Sequence, residues 1–333
     1  MRREIGSEFW RSPLIESDND LFPTCTQWYL SGRSALKAII AELVGVKTIS
    51  LPSWCCDSMI KPFADVGIEV RFYPVYWQKG LFKEIELGSD ALLIMDYFGY
   101  TTPIPGLCNY DGIVIRDVTH SIISATYSDA DYYFGSLRKW CGVWTGGYAW
   151  TKDEHTLEMG EADKSAYVSL RSQAMKMKRQ YIEEGLGDKE YLKTFDDAED
   201  CLESVDIAPA ADRDVELMKR LDVEMIKSNR RKNAEVLRVA FSDWLIFPTL
   251  SSTDTPMYVP VLVPDGKRDA LRSHLINNEI YCPVHWPTSD YHKLTEQEKY
   301  IYDNELSLVC DQRYTEEDMM RIVETIKSFI EEK

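Results

Sequence analysis

Three short segments carry residues whose types and spacing could do chemistry, and their order along the chain matters. The first, Ser31-Gly32-Arg33-Ser34-Ala35-Leu36, opens a helical pattern. Unpaired backbone N–H groups at a helix N-terminus attract a phosphate, aided by the helix dipole. Gly32 permits close approach of the main chain. Taken alone, the segment also reads as an ordinary N-cap by Ser31 or Ser34. The second is Asp117, closing the apolar run Ile113-Val114-Ile115-Arg116, with His120 three residues later. Ligands of open α/β sheets gather beyond the carboxyl ends of the strands. A carboxylate there can hold a protonated ring nitrogen, or it can simply cap the next helix. The third is Phe134-Gly135-Ser136-Leu137-Arg138-Lys139-Trp140, followed by Gly146-Gly147. A lysine in such an apolar stretch is desolvated, which favours a neutral amine able to attack an aldehyde. A lone lysine more often snorkels to solvent. Here it follows a phosphate cradle and a strand-end carboxylate, and Ser136 can add a hydroxyl to the phosphate.

Positioning these residues requires an alternation of strands and helices. The spacing predicts a helix over Ser34–Val44 and another over Met59–Val66, ended by Gly67. Strands are predicted at Lys47–Leu51, Glu69–Tyr73, Ala91–Tyr97, Gly112–Arg116, Asp131–Phe134 and Gly147–Trp150. Two of these are continuous apolar runs, as in a parallel sheet covered on both faces. The order implies βαβ units and an α/β fold with a mostly parallel sheet. Residues Asp153–Asp212 read instead as solvated helices and loops. A long basic helix is predicted over Val215–Val239. Beyond it come a strand at Tyr258–Val263, a helix at Gly266–Asn278, a strand at Ile280–Trp286 and a closing helix from Glu316 to Glu332. Thr315 and Asp318 are placed to form a capping box for that last helix.

The 333 residues allow a large domain over 1–225 and a smaller α+β domain over 226–333. A net charge of -17 argues against a nucleic-acid partner. The charged start, Met1 to Glu8, is unlike a secretion signal, and no apolar run is long enough to span a bilayer. Eight scattered cysteines point to reduced thiols and a cytoplasmic setting. Cys282 and His285 are three apart, but no second pair joins them, so no metal site is expected.

In this order the segments resemble the DegT/DnrJ/StrS family of aminotransferases that use pyridoxal 5'-phosphate (PLP). Residues 31–36 resemble its Ser-Gly-Thr-Ala-Ala-Leu phosphate segment. Leu51-Pro52-Ser53, running to Gly67-Ile68-Glu69-Val70, resembles its Pro-Ser…Gly-Ala-x-Pro-Val block. Asp117-Val118-Thr119-His120 resembles its Asp-x-x-Gln. Lys139 with Gly146-Gly147 resembles its lysine and Gly-Gly turn, and Ser307–Cys310 with Thr315-Glu316-Glu317-Asp318 resembles its closing helix. The resemblance implies a PLP-transferase fold, with Lys139 as the Schiff-base lysine, Asp117 on the pyridine nitrogen and His120 on the ring oxygen. Gly32, Arg33, Ser34 and Ser136 would hold the phosphate. Cys56 falls where the family stacks an aromatic on the ring, with Trp54 two residues away to take that part. Phe134 stands where the family commonly has a serine, and no Asn-Tyr-Arg segment is found. The implied reaction moves an amino group from a donor, glutamate in the family's usual pattern, to a small keto acceptor such as a nucleotide-linked keto-sugar, in a homodimer. A lyase of the same fold and a non-catalytic relative remain open beside it. Trp28, Tyr97, Tyr100 and Trp286 are candidates for an aromatic substrate entrance.

Overall fold

The computed structural model describes residues 4–78, 80–85, 88–102, 104–124 and 129–331. The first three residues and Glu332, the expected end of the last helix, lie outside them. The fold is mixed α/β with a mostly parallel central sheet. The chain packs as two compact units. One comprises residues 1–4, 8–44 and 131–223, the other residues 5–7, 45–130 and 224–333.

In the first unit the strand Gly147–Thr151 pairs antiparallel with both Gln27–Tyr29 and Tyr132–Ser136. The helix Gly32–Glu42 follows the first of these strands directly, and Ser31 caps it by accepting from the Ser34 amide at 3.1 Å. The stretch expected to be solvated forms the helices Ser165–Arg179 and Glu190–Glu203, joined through a π-helical turn. Many of its charges sit on an outer face, where Arg179–Glu183 and Lys193–Asp197 pair at i,i+4, while Arg171 and Lys178 are buried. Its inner face is core: Ala174, Met175, Tyr181, Tyr191 and Phe195 pack round Trp10, and Tyr167, Ala198 and Leu202 round Leu30.

The long helix expected over 215–239 is two, Asp212–Lys219 and Val223–Ala240. The break has a tertiary cause. Leu221 is fully buried and bridges to Leu14, while the Asp222 amide donates to the Pro13 carbonyl at 3.1 Å. Pairing with an extended segment removes those residues from helical geometry.

In the second unit four strands run parallel, with Thr48–Pro52 between Glu69–Tyr73 and Ala91–Met95, and Ile113–Asp117 beside Ala91–Met95. Ala91–Met95 is buried along its whole length, as its unbroken apolar run requires. The expected strand at 280–286 is only Ile280–Tyr281. The antiparallel pair Tyr258–Leu262 and Glu305–Val309 packs under the helices Arg268–Asn277 and Glu316–Glu331, a core drawn almost wholly from residues 234–329. Of the capping box expected at Thr315, one half forms: the Thr315 amide and hydroxyl both donate to the Asp318 carboxylate at 3.0 Å. Sequence periodicity passed over the helix Glu296–Asn304, whose capping box joins Thr295 and Glu298.

Candidate active site

The candidate residues fall into two groups, one in each unit. In the first unit, Gly32 starts its helix with its amide and that of Arg33 unbonded among the described residues. The next two amides are taken, Ser34 by the Ser31 hydroxyl and Ala35 by the Ser31 carbonyl at 3.0 Å. Two orphan N–H groups at a positive dipole end are what an anion needs. Ser136 lies against them: a β-carbon on Gly32 would stand 3.4 Å from the Ser136 Cβ and 3.4 Å from the Gly135 carbonyl oxygen. Residues i and i+2 of a strand share a face, so Ser136 projects on the same side as Phe134, one step nearer Lys139. Phe134 itself is buried. The hydroxyl of Ser34 is committed elsewhere, bonded to the Ala208 amide at 2.9 Å and carbonyl at 3.3 Å.

Lys139 ends the 3-10 turn Leu137–Lys139 and is half-buried. The two glycines fix that turn. The Leu137 amide donates to the Gly146 carbonyl at 2.8 Å, and the Gly146 amide donates to the Leu30 carbonyl at 3.2 Å. A side chain on Gly147 could not be accommodated, since its β-carbon would meet the Ser31 carbonyl oxygen at 2.1 Å. One backbone frame therefore holds the lysine turn and the helix N-terminus together.

Arg138, beside the lysine, is turned into the helices of the same unit. It donates to Tyr167 and makes a forked pair with Glu199 at 2.7 and 3.1 Å. Arg171, 1% exposed at its side chain, bonds Glu8 at 2.7 Å and faces Glu199 at 3.6 Å. Burial opposes the Arg138 charge, but Glu199 and Tyr167 outweigh it and hold the guanidinium firmly protonated. Burial likewise works to raise Glu199, and Arg138 overcomes it, leaving the carboxyl below its ordinary value. Nothing local in the sequence links positions 8, 138, 171 and 199, so only the fold reveals this network.

In the second unit Asp117 is 5% exposed at the end of its strand, and its Oδ1 accepts the Thr119 amide at 2.8 Å. Next to it in the sheet region, Arg116 grips Asp96 through two nitrogens at 2.8 and 3.1 Å. His120 is fully buried, and its Nδ1 accepts the Phe98 amide at 3.3 Å. That bond assigns the ring proton to Nε2, which makes the far edge a donor. The Trp286 ring stacks on His120 at 5.8 Å. Trp54 is 1% exposed, stacked on Tyr97 at 4.8 Å, and donates from Nε1 to the His285 carbonyl at 2.7 Å. Cys56 caps the next helix, its Sγ 3.0 Å from the Ser58 hydroxyl.

The aromatic entrance does not form as expected. Tyr97, Tyr100 and Trp286 are core residues, and Tyr97 donates to the Trp54 carbonyl at 2.6 Å while Tyr100 stacks on Phe247. Trp28 packs edge-on against Phe22. Large aromatics with a bonded polar end are ordinary core. Beneath this cluster lies Lys83, 2% exposed, donating to the Met95 carbonyl at 3.0 Å over the Tyr97 ring. Burial lowers its amine to about 8, against the pull of Asp96. Among the described residues no cluster of three His, Cys, Asp or Glu could hold a metal, and no helix is long and apolar enough to cross a membrane.

Comparison with known proteins places the fold. No protein-family model matches the sequence, and no curated protein matches it. Solved structures do. An aminotransferase of Helicobacter pylori, PseC, described as involved in the biosynthesis of pseudoaminic acid, is 14% identical with a TM-score of 0.63 over 98% of this chain and 100% of its own. DesV of S. venezuelae, in complex with a ketimine intermediate, is 15% identical with a TM-score of 0.62 over 91% of this chain and 84% of its own. A DegT DnrJ EryC1 StrS aminotransferase from Brucella abortus is 15% identical, at 0.59 over 91% and 85%. The chain has the fold of these aminotransferases, so the resemblance read from its motifs holds at the level of fold.

Proposed function

We propose that this protein is a PLP-dependent aminotransferase, a divergent relative of the DegT/DnrJ/StrS enzymes. It would move an amino group from an amino-acid donor, glutamate, to a keto acceptor of the nucleotide-linked sugar class. The observation that carries the reading is the backbone frame that fastens the Lys139 turn to the N-terminus of the Gly32 helix. The fit is specific: the notch between Gly32 and Ser136 is one that a β-carbon would begin to fill, and two unbonded amides open beside it. The fold and the order of the motifs along the chain support it further.

PLP, when bound, supplies an aldehyde that captures amines and a ring that takes up the electrons released as a C–H bond breaks. The Gly32 and Arg33 amides, the Arg33 guanidinium and the Ser136 hydroxyl bind the phosphate. Lys139 Nζ would hold the aldehyde, and its amine would be the group that moves a proton at the substrate carbon. Asp117 would hold a proton on the ring nitrogen. His120 would donate from Nε2 to the ring oxygen. Trp54 would stand in place of Cys56 as the aromatic neighbour of the ring. In this reading residues 1–225 and 226–333 are the large and small domains, and the working form is a cytoplasmic homodimer.

The test is a visible spectrum of the purified protein with PLP, before and after glutamate, for wild type and Lys139→Ala. The reading expects a borohydride-reducible band in the wild type, absent in the variant and discharged by glutamate. A stable band that glutamate leaves untouched favours the lyase. No band in the wild type removes the enzyme reading and leaves a retained fold with another task.

A further inference from the structure

Glu305 is a fully buried carboxyl on the strand Glu305–Val309, and no part of the proposed reaction uses it. Its Oε2 accepts the His285 amide at 2.7 Å and its Oε1 accepts the Ser307 hydroxyl at 2.5 Å. That hydroxyl, also fully buried, lies 2.9 Å from Nδ1 of His285. The His285 ring packs edge-to-face on Phe98 at 5.1 Å and stands 6.0 Å from the His120 ring. Its carbonyl takes the Trp54 indole N–H at 2.7 Å. Carboxyl, hydroxyl and imidazole thus form one unbroken line of short hydrogen bonds into the residues round His120.

A serine hydroxyl has one proton, so the line has two self-consistent states. With Glu305 ionised, the Ser307 proton points to Oε1, and Nδ1–H of His285 must donate to the Ser307 oxygen. The neutral ring then carries no proton on Nε2. With Glu305 protonated, its own proton points to Ser307, the Ser307 proton turns to Nδ1, and the ring proton sits on Nε2. We propose that Glu305, Ser307 and His285 form a proton relay in which a proton taken up at His285 Nε2 is delivered to the buried Glu305 carboxyl. The balance is complete. An N–H bond forms at Nε2, the Nδ1–H bond breaks as a new Ser307 O–H forms, and the old Ser307 O–H breaks as Glu305 Oε1–H forms. Three bonds form, two break, and one proton enters. His285 Nε2 changes from acceptor to donor in the same event, without the ring ever being charged.

Burial raises the Glu305 carboxyl to about 8, which places the exchange near neutral pH. The titratable and charged groups that face it are few. Arg268, from the helix Arg268–Asn277, donates to the Glu305 carbonyl at 3.1 Å and favours ionisation. Cys282 lies close enough to feel the carboxylate, and Tyr258 packs on the His285 ring at 5.2 Å. His120 faces the same ring with its tautomer pinned by Phe98. If PLP binds as proposed, the relay is a store for protons exchanged at the substrate. It does not depend on that reading.

The experiment is 15N-histidine NMR of the unliganded protein between pH 6 and 10, reading the imidazole tautomers of its five histidines. His285→Gln assigns the signal. In the wild type the His285 ring should pass from Nε2–H to Nδ1–H as pH rises through about 8. Glu305→Gln keeps an acceptor for the His285 amide and gives Ser307 a donor, so it should hold Nε2–H at every pH. Ser307→Ala should uncouple the ring from pH. A wild-type ring that keeps one tautomer across the range overturns the relay, as does a Glu305→Gln ring that still switches. The wild-type titration decides the matter even where a variant fails to fold. Because no cofactor is present, its failure is distinct from failure of the aminotransferase reading.

Discussion

A β-carbon added to Gly32 would stand 3.4 Å from the Cβ of Ser136, so the two residues face one another across the width of one methyl group. That separation is ordinary van der Waals distance, so alanine fits without displacing backbone. Gly32→Ala should therefore fold with little change in Tm. It should bind PLP at least tenfold more weakly, roughly 1.4 kcal/mol, because the methyl occupies the notch beside the two open amides. A spectroscopic PLP titration checks this, and equal affinity in the two proteins would place the phosphate elsewhere.

Glu199 is the shared acid of the buried Arg171 and the half-buried Arg138. Removing it in Glu199→Ala leaves Arg138 and Arg171 with Tyr167 and Glu8 as their remaining partners. Breaking a buried pair costs about 3–5 kcal/mol. The Glu199 side chain is 46% exposed, so screening reduces the cost to on the order of 2 kcal/mol. Urea unfolding measures it. Arg138, so released, is the middle residue of the Leu137–Lys139 turn, and slower reaction of Lys139 with PLP should accompany the loss.

Glu305 makes stability fall as pH rises. Its folded carboxyl holds a proton up to about 8, whereas the unfolded chain releases it near 4.5. The contribution is thus fully present below 4.5, declines through the interval and is flat above 8, a total on the order of a few kcal/mol. Glu305→Gln removes the titration. The variant should gain on the wild type steadily from pH 5 to pH 8, seen as a widening Tm difference, and a pH-independent difference would contradict the assignment.

Lys83 has the opposite sign. Its folded amine loses its proton near 8, whereas the unfolded one keeps it to about 10.5. Burying the charged form is a penalty that is complete below 8 and lifts as pH rises to 10.5. Lys83→Met should compare more favourably with the wild type at pH 7 than at pH 10. Parallel unfolding curves at the two values would show that the amine is never buried in charged form.

Legibility in the sequence followed how local the determinant was. The strand Ala91–Met95 is an apolar run and the helix at Gly32 has its cap beside it, so both could be read directly. The break at Leu221 could not, because its cause is Leu14, two hundred residues away. The core role of 153–212 was hidden by charges that pair with one another on the outer face and leave Tyr167, Tyr191 and Phe195 inside. Lys139, Gly32 and Ser136 were legible as a group through their order. Glu305 and Ser307 looked like an unremarkable strand, since only the fold brings them to His285.

The anchor at Gly32 and Lys139 is built from amides, carbonyls and glycines, and it has few side chains to lose. Drift at the half-buried Arg33 changes the lining while the frame stays in register, whereas Gly147 admits no replacement. For anyone redesigning this protein, Arg33 is the dial and the glycines are the chassis, while Ser34, bonded to Ala208, and the buried Phe134 belong to the fold and change only with it.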